Sequence, residues 1–142
     1  MNSILEVISF LNTKGELFFH LQKIKFSEEE AKFFFVEIIL CLEYLHEKKI
    51  IYRDLKPENV LIDIDGHVRL VDFGNSKQGL ERTDRTYSFC GSFEYMTPEV
   101  VTRVPHSYGV DFYALGALLH ELICGLPPFY SKNRDEMMNN II

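Results

Sequence analysis

Long uninterrupted apolar runs are missing from this 142-residue chain. Its most apolar stretch, Phe112 to Tyr130, is broken by His120, Glu121, Gly125 and the Pro127-Pro128 pair, so it reads as a core helix with its exit and not as a membrane span. A secretory layout is missing too, because Glu6 sits inside the first apolar run and no basic leader precedes it. Cysteine is scarce: Cys41, Cys90 and Cys124 are odd in number, far apart and without the paired spacing of a metal site. Reduced thiols in a cytoplasmic chain are therefore expected, with the nucleus also open, and Cys41 and Cys124 read as small core residues in apolar helices. Excess positive charge is absent. A net charge of −6 argues against nucleic acid as a partner and suits, weakly, a basic peptide. With no repeat and no low-complexity segment, one globular domain is expected at this length.

What is present alternates between periodic and polar stretches. Ile4 to Leu11 reads as a short apolar strand or extended segment, and Asn12 to Gly15 turns it into a brief helix at Glu16 to Gln22. Ser27 opens the longest helix, with Glu30 three residues on completing a capping box. From Ala31 to Lys48 apolar residues nearly encircle that helix, which predicts burial on most sides. Val60 to Ile62 and Val68 to Val71 flank an Asp65-Gly66 turn and predict a hairpin. Asp63 and Asp65 lack the further oxygen ligands and closing Glu of a calcium loop, so turn chemistry is the better reading. Asn75 to Ser92 has no sustained periodicity and reads as a long mobile loop. Thr97-Pro98-Glu99 has the form of a helix start, Asp111 to Cys124 forms a second core helix ended by Gly125, and Asn133 to Ile142 opens another.

The densest chemistry lies in Tyr52 to Asn59, Tyr-Arg-Asp-Leu-Lys-Pro-Glu-Asn. Asp54 can accept a proton, Lys56 can neutralise a phosphate and Asn59 can offer a metal its amide oxygen. A charged connecting loop would be the plain reading if the octapeptide stood alone. The hairpin, however, returns the chain so that Asn59 and Asp72 can lie side by side although thirteen positions apart. Two oxygen donors facing each other make a magnesium site when phosphates complete the shell.

Read in order, this octapeptide, Asp72-Phe73-Gly74 and Thr97-Pro98-Glu99 resemble the catalytic loop, magnesium loop and activation-segment end of a eukaryotic protein kinase. Tyr52, the segment Gly15 to Phe18, Phe89-Cys90-Gly91 and Gly125 to Phe129 are similar to the AGC group of serine/threonine kinases, near protein kinases A and B. The resemblance implies an α+β, kinase-like fold: a mainly helical C-lobe with a small β-hairpin. It makes Asp54 the catalytic base and Lys56 the cation on the transferring phosphoryl group. Asn59 and Asp72 would hold Mg2+, and Leu61 would form the floor under the adenine of ATP. Glu16 and Glu58 would face ribose or substrate arginines, Glu121 would face the same arginines, and Ser92 would contact the catalytic Asp. Tyr44, Tyr52, Leu61 and Phe73 also have ready explanations as core residues. Arg53 and Lys77 would form a cationic pocket for a phosphate on Ser88, set there by an activating kinase. Protein substrates with Ser or Thr acceptors and upstream basic residues are the implied partners.

The glycine-rich loop, the strand Lys and the helix Glu of a complete kinase N-lobe are not among these residues. The expectation is thus a partial kinase domain over 1–142, with 1–15 a remnant of the last N-lobe strand and hinge, and 16–142 a C-lobe that stops before its last helices. Smaller departures are Thr97 for Ala, Phe93 for Pro, Asn75 for an apolar residue and Phe112-Tyr113 for a Trp pair. None removes a catalytic group. A non-catalytic kinase-like fragment that binds a partner is the alternative reading.

Overall fold

The computed structural model describes residues 13–142. The strand expected at Ile4 to Leu11, and most of the 1–15 remnant, lie outside the described residues. A three-stranded antiparallel sheet, in the order β1 (Thr13–Glu16), β3 (Val60–Asp63), β4 (Val68–Leu70), sits against the helices. The predicted hairpin is β3 and β4, with Val60 opposite Leu70 and Ile62 opposite Val68. Asp63 organises its turn: Oδ1 accepts from the amides of Asp65 and His67 at 3.0 and 2.9 Å, and Arg69 pairs with Oδ2 at 3.0 Å. That is the turn chemistry expected of it, with both oxygens committed to protein donors.

Five helices follow the sequence pattern closely: α1 (Leu17–Leu21), α2 (Glu28–Glu47), α3 (Pro98–Val101), α4 (Gly109–Cys124) and α5 (Arg134–Ile141). The capping box forms, with Ser27 Oγ accepting from the Glu30 amide at 3.3 Å and Glu30 Oε2 accepting from the Ser27 amide at 2.8 Å. Thr97 Oγ1 caps α3 and Asn133 Oδ1 caps α5. Gly125 ends α4 at φ 88°, a conformation that favours glycine.

α2 departs from expectation. Ala31, Ile38 and Leu42 are buried, but Phe33, Val36, Leu40 and Tyr44 are exposed, so one face alone enters the core. The helix packs on α4 and the hairpin, and no described element covers its opposite side. Tyr44 and Phe73 are likewise surface residues, whereas Tyr52 and Leu61 are buried as expected. Cys124 is exposed, because α4 turns its last residue outward after the buried Leu122, and Cys41 on α2 is only half-buried, so neither is the core residue expected.

Two apolar clusters flank the octapeptide Tyr52 to Asn59. One gathers Leu17, Ile38, Leu42, Leu115 and Leu118 around Tyr52 and Leu55. The other gathers Met96, Val100, Val110, Met137 and Ile141 with Ile51. Consecutive residues Ile51 and Tyr52 are therefore driven into different clusters, which fixes the backbone on which the polar loop is carried. The segment 75–92 is less free than its sequence suggests. β5 (Lys77–Gln78) pairs with β2 (Ile50–Ile51), Leu80 is buried, and Thr86 exchanges both backbone hydrogen bonds with His106. Among the described residues no helix is long and apolar enough to cross a membrane.

Ser27→Ala removes one half of the box and is expected to cost about 1 kcal/mol, read as a lower urea midpoint with an unchanged slope.

Candidate active site

The octapeptide is held from behind by a side chain far away in sequence. Asp111, in the first turn of α4, has no exposure. Its Oδ2 accepts from the Tyr52 amide at 2.9 Å and from His46 Nε2 at 2.7 Å, and its Oδ1 accepts from the Arg53 amide at 2.7 Å. A buried carboxylate without such donors would be costly, and here three are supplied. Arg53 sits at φ 67°, a left-handed conformation that a side-chain-bearing residue adopts at a cost of about 1–3 kcal/mol. The bond to its amide offsets that cost and turns Asp54 toward the loop interior. Tyr52 adds a second anchor, donating its hydroxyl to the Val71 carbonyl beside the other chemical loop. Burial is the main cause that raises the Tyr52 phenol pKa, so it remains a neutral donor.

Asp54 is 6% exposed and surrounded by donors. Ser92 Oγ donates to its Oδ1 at 3.1 Å; Asn59 Nδ2 and Asn75 Nδ2 reach its Oδ2 at 3.2 and 3.1 Å. Lys56 Nζ lies 3.5 Å from Oδ2 and 3.1 Å from Ser92 Oγ. A carboxylate able to accept a proton and a cation able to neutralise an anionic group thus stand side by side. The Asn59 amide also donates to the Asp54 carbonyl at 2.8 Å, leaving its oxygen as the free end.

The hairpin ladder continues past its named strands, with the Val71 amide donating to the Asn59 carbonyl at 3.0 Å, and Asp72 comes next. Asp72 also has positive φ, 57°, and is exposed; its Oδ1 accepts from the Gly74 amide at 3.1 Å. A Cβ at Gly74 would lie 3.1 Å from that same oxygen, so glycine keeps the carboxylate unobstructed. Leu61, opposite Glu16 and Arg69 in the sheet, is 3% exposed.

A groove of about 320 Å³ beside Asp54 is lined by Lys56, Glu58, Ser92, Glu94, Tyr95 and Glu121 among others. Glu121 accepts a hydrogen bond from the Tyr95 hydroxyl. Burial raises the Glu121 pKa most; the Tyr95 bond opposes that shift, while Glu58 and Glu94 add to it. The groove brings Glu58 and Glu121 together as the sequence suggested and adds Glu94, which it did not. Glu16 lies at the end of β1 and is not among the lining residues.

Ser88 is exposed, and its Oγ lies 3.3 Å from the buried Thr86 Oγ1, which Lys77 Nζ contacts at 3.2 Å. Arg53 donates through Nε to the Asn75 carbonyl at 2.7 Å, while its Nη1 is buried without a partner. His106, bridged to Thr86, is buried, and burial is the first cause that lowers its pKa; Arg53 and Lys77 lower it further, against Val104 and Glu99.

Sequence reasoning missed Asp111, His46, Asn75, Glu94 and Tyr95. An acid inside the first turn of an otherwise apolar helix was the available signal for Asp111; Asn75 carried one only as a departure from an apolar position.

Asp54, Lys56 beside it and Asp72 on a neighbouring loop are the charged groups that the octapeptide and the hairpin present together. The protein kinase domain family matches residues 3–142, and the chain belongs to that family. It is 50% identical over 137 residues to the human serine/threonine-protein kinase Sgk2, covering 96% of this chain and 37% of that one. To the rat serine/threonine-protein kinase Sgk3 it is 51% identical, and to human Sgk1 49%, again over 96% of this chain but 27% and 32% of theirs. The chain thus spans between 27% and 37% of the length of these curated relatives. The α+β kinase-like fold class and the AGC relationship expected from the motifs are borne out.

Because the folded pKa of His106 lies below the ordinary 6.5, its neutral form contributes stability that is complete above that value. The contribution is lost as pH falls through 6.5 toward the folded pKa. Urea midpoints at pH 7.5 and 5.5 should therefore fall further on acidification for the native chain than for His106→Gln.

Proposed function

We propose that the chain carries the C-lobe part of a serine/threonine protein kinase, which transfers the γ-phosphoryl group of ATP to Ser or Thr hydroxyls of protein substrates. The carrying observation is the 3.5 Å pairing of Lys56 Nζ with Asp54 Oδ2 at the rim of the open groove. Asp54 accepts the proton of the acceptor hydroxyl. Lys56 neutralises charge on the phosphoryl group in flight, with Ser92 holding both side chains in register.

The donor set suits magnesium. Among the described residues no group of three His, Cys, Asp or Glu gathers to hold a metal unaided. Magnesium characteristically takes only one or two protein ligands and completes its shell with phosphates and water, and Asn59 and Asp72 are ligands of that kind. Bound magnesium-ATP would supply the transferable group and neutralise its charge. Leu61 would underlie the adenine, with Glu16 and Glu58 toward the ribose. In the groove, Glu58 and Glu121 favour acceptors with upstream arginines, and Glu94 adds to the same field. A phosphate placed on Ser88 by an activating kinase would engage Lys77 and the unpartnered Arg53 nitrogen. A cytoplasmic setting, with entry to the nucleus, is part of this reading. The alternative of a kinase-like module that binds without transferring draws on the exposed ring of Phe73, next to Asp72.

In the 142-residue protein, Asp54→Asn is expected to lower phosphorylation of an Arg-x-x-Ser peptide by roughly two to four orders of magnitude while the melting temperature stays close to native. Turnover equal to the native chain would contradict the base assignment. Asp72→Ala is expected to abolish the thermal stabilisation conferred by magnesium-ATP; an undiminished shift would remove Asp72 from the metal site.

A further inference from the structure

We propose that Asn75 gates the base: its side-chain amide occupies a position on Asp54 Oδ2, the oxygen facing Lys56, for which an acceptor hydroxyl would compete. The proposal rests on the kinase reading above and assigns a residue to it that acts through Asp54. A carboxylate oxygen offers two in-plane lone pairs. On Oδ2 they meet Asn59 Nδ2 at 3.2 Å and Asn75 Nδ2 at 3.1 Å, with Lys56 Nζ at 3.5 Å on the same atom. Among the described residues Oδ1 is engaged by Ser92 Oγ alone. Oδ2, however, is the oxygen beside Lys56, the cation assigned to the transferring group, and so the one toward which an acceptor hydroxyl aimed at that group is directed. With the residue only 6% exposed, Oδ2 has no vacant direction left for a substrate proton. The Asn75 nitrogen faces the carboxylate because the reversed amide would set oxygen against oxygen.

Of the two amides on Oδ2, Asn75 is the one able to leave. Asn59 is buried and also bonded to the Asp54 carbonyl at 2.8 Å, so its amide is held twice. Asn75 is half-exposed, and Asp54 is the only partner of its side chain among the described residues. Its backbone is pinned independently, by Arg53 Nε on its carbonyl at 2.7 Å and by the neighbouring turn from Ser76 to Phe73 at 3.0 Å. A single side-chain rotation therefore opens Oδ2 without moving the loop. An apolar side chain of similar size at this position would leave the oxygen open at all times.

The test compares the full chain with Asn75→Leu on a serine peptide bearing upstream arginines, with magnesium-ATP. The gate predicts that Asn75→Leu raises kcat/KM for the peptide by roughly tenfold, the equivalent of one hydrogen bond to a charged group, with the KM for ATP unchanged. A merely structural role would lower turnover or move both constants. A rate equal to or below native overturns the gate. Absence of turnover in both proteins counts against the kinase reading, and the gate is then decided by NMR of the Asn75 side-chain amide. Its resonances must move in Asp54→Ala, or in Asp54→Ser should the alanine variant not fold. Unchanged resonances in the folded variant overturn the gate, and displaced resonances support it.

Discussion

A fully buried carboxylate in α4, Asp111, takes hydrogen bonds from two consecutive backbone amides, those of Tyr52 and Arg53, and from the His46 ring. Everything chemical in the molecule is arranged outward from that contact. The two amides belong to the residues just before Asp54, and one of them is in a left-handed conformation that the chain would not choose unaided. Burying an ion is expensive unless its hydrogen bonds are complete, so the same contact that positions the loop also makes its loss costly. His46 reaches it from α2 and the loop amides from the segment between the apolar clusters, and thus one side chain ties both core helices to the loop.

In front of the anchor the polar residues form a closed ring. Asp54 is surrounded by Ser92, Asn59, Asn75 and Lys56, each from a different point along the chain or loop. Burial raises the value of each of these bonds. Lys56 and Asn59 of that ring belong to the octapeptide itself, and the segment that carries Asn75 is pinned to it by the Val71 amide on the Asn59 carbonyl and by Ser76 Oγ on the Tyr52 carbonyl. Charge is organised at larger scale as well, with carboxylates along the groove and cations beneath the segment that carries Ser88.

Much of this was legible because it is local. The capping box of Ser27 and Glu30, the Thr97-Pro98 start and the hairpin around Asp65-Gly66 each depend on residues a few positions apart, and all formed as written. The clustering of Asp54, Lys56 and Asn59 was legible for the same reason, since they lie within eight residues and the hairpin returns Val71 to Asn59, next to Asp72. What was not legible depends on contacts made at a distance. Apolar periodicity around α2 says nothing about how many neighbours the fold provides, and its Phe33, Val36, Leu40 and Tyr44 face is exposed. β5 is two residues long and has no period to read. Asp111 lies 58 positions from Arg53, and no pattern within α4 marks it as the acceptor for a loop.

Amide hydrogen exchange at Tyr52 and Arg53 tests the dependence on Asp111 most directly. In the native chain both amides should exchange as slowly as those in the middle of α4; in Asp111→Asn, which keeps the shape but withdraws the charge, their protection should fall by roughly tenfold or more while the α4 amides change little. Equal protection at Tyr52 and Arg53 in the two proteins would mean that the loop holds its conformation without Asp111, and would contradict the account.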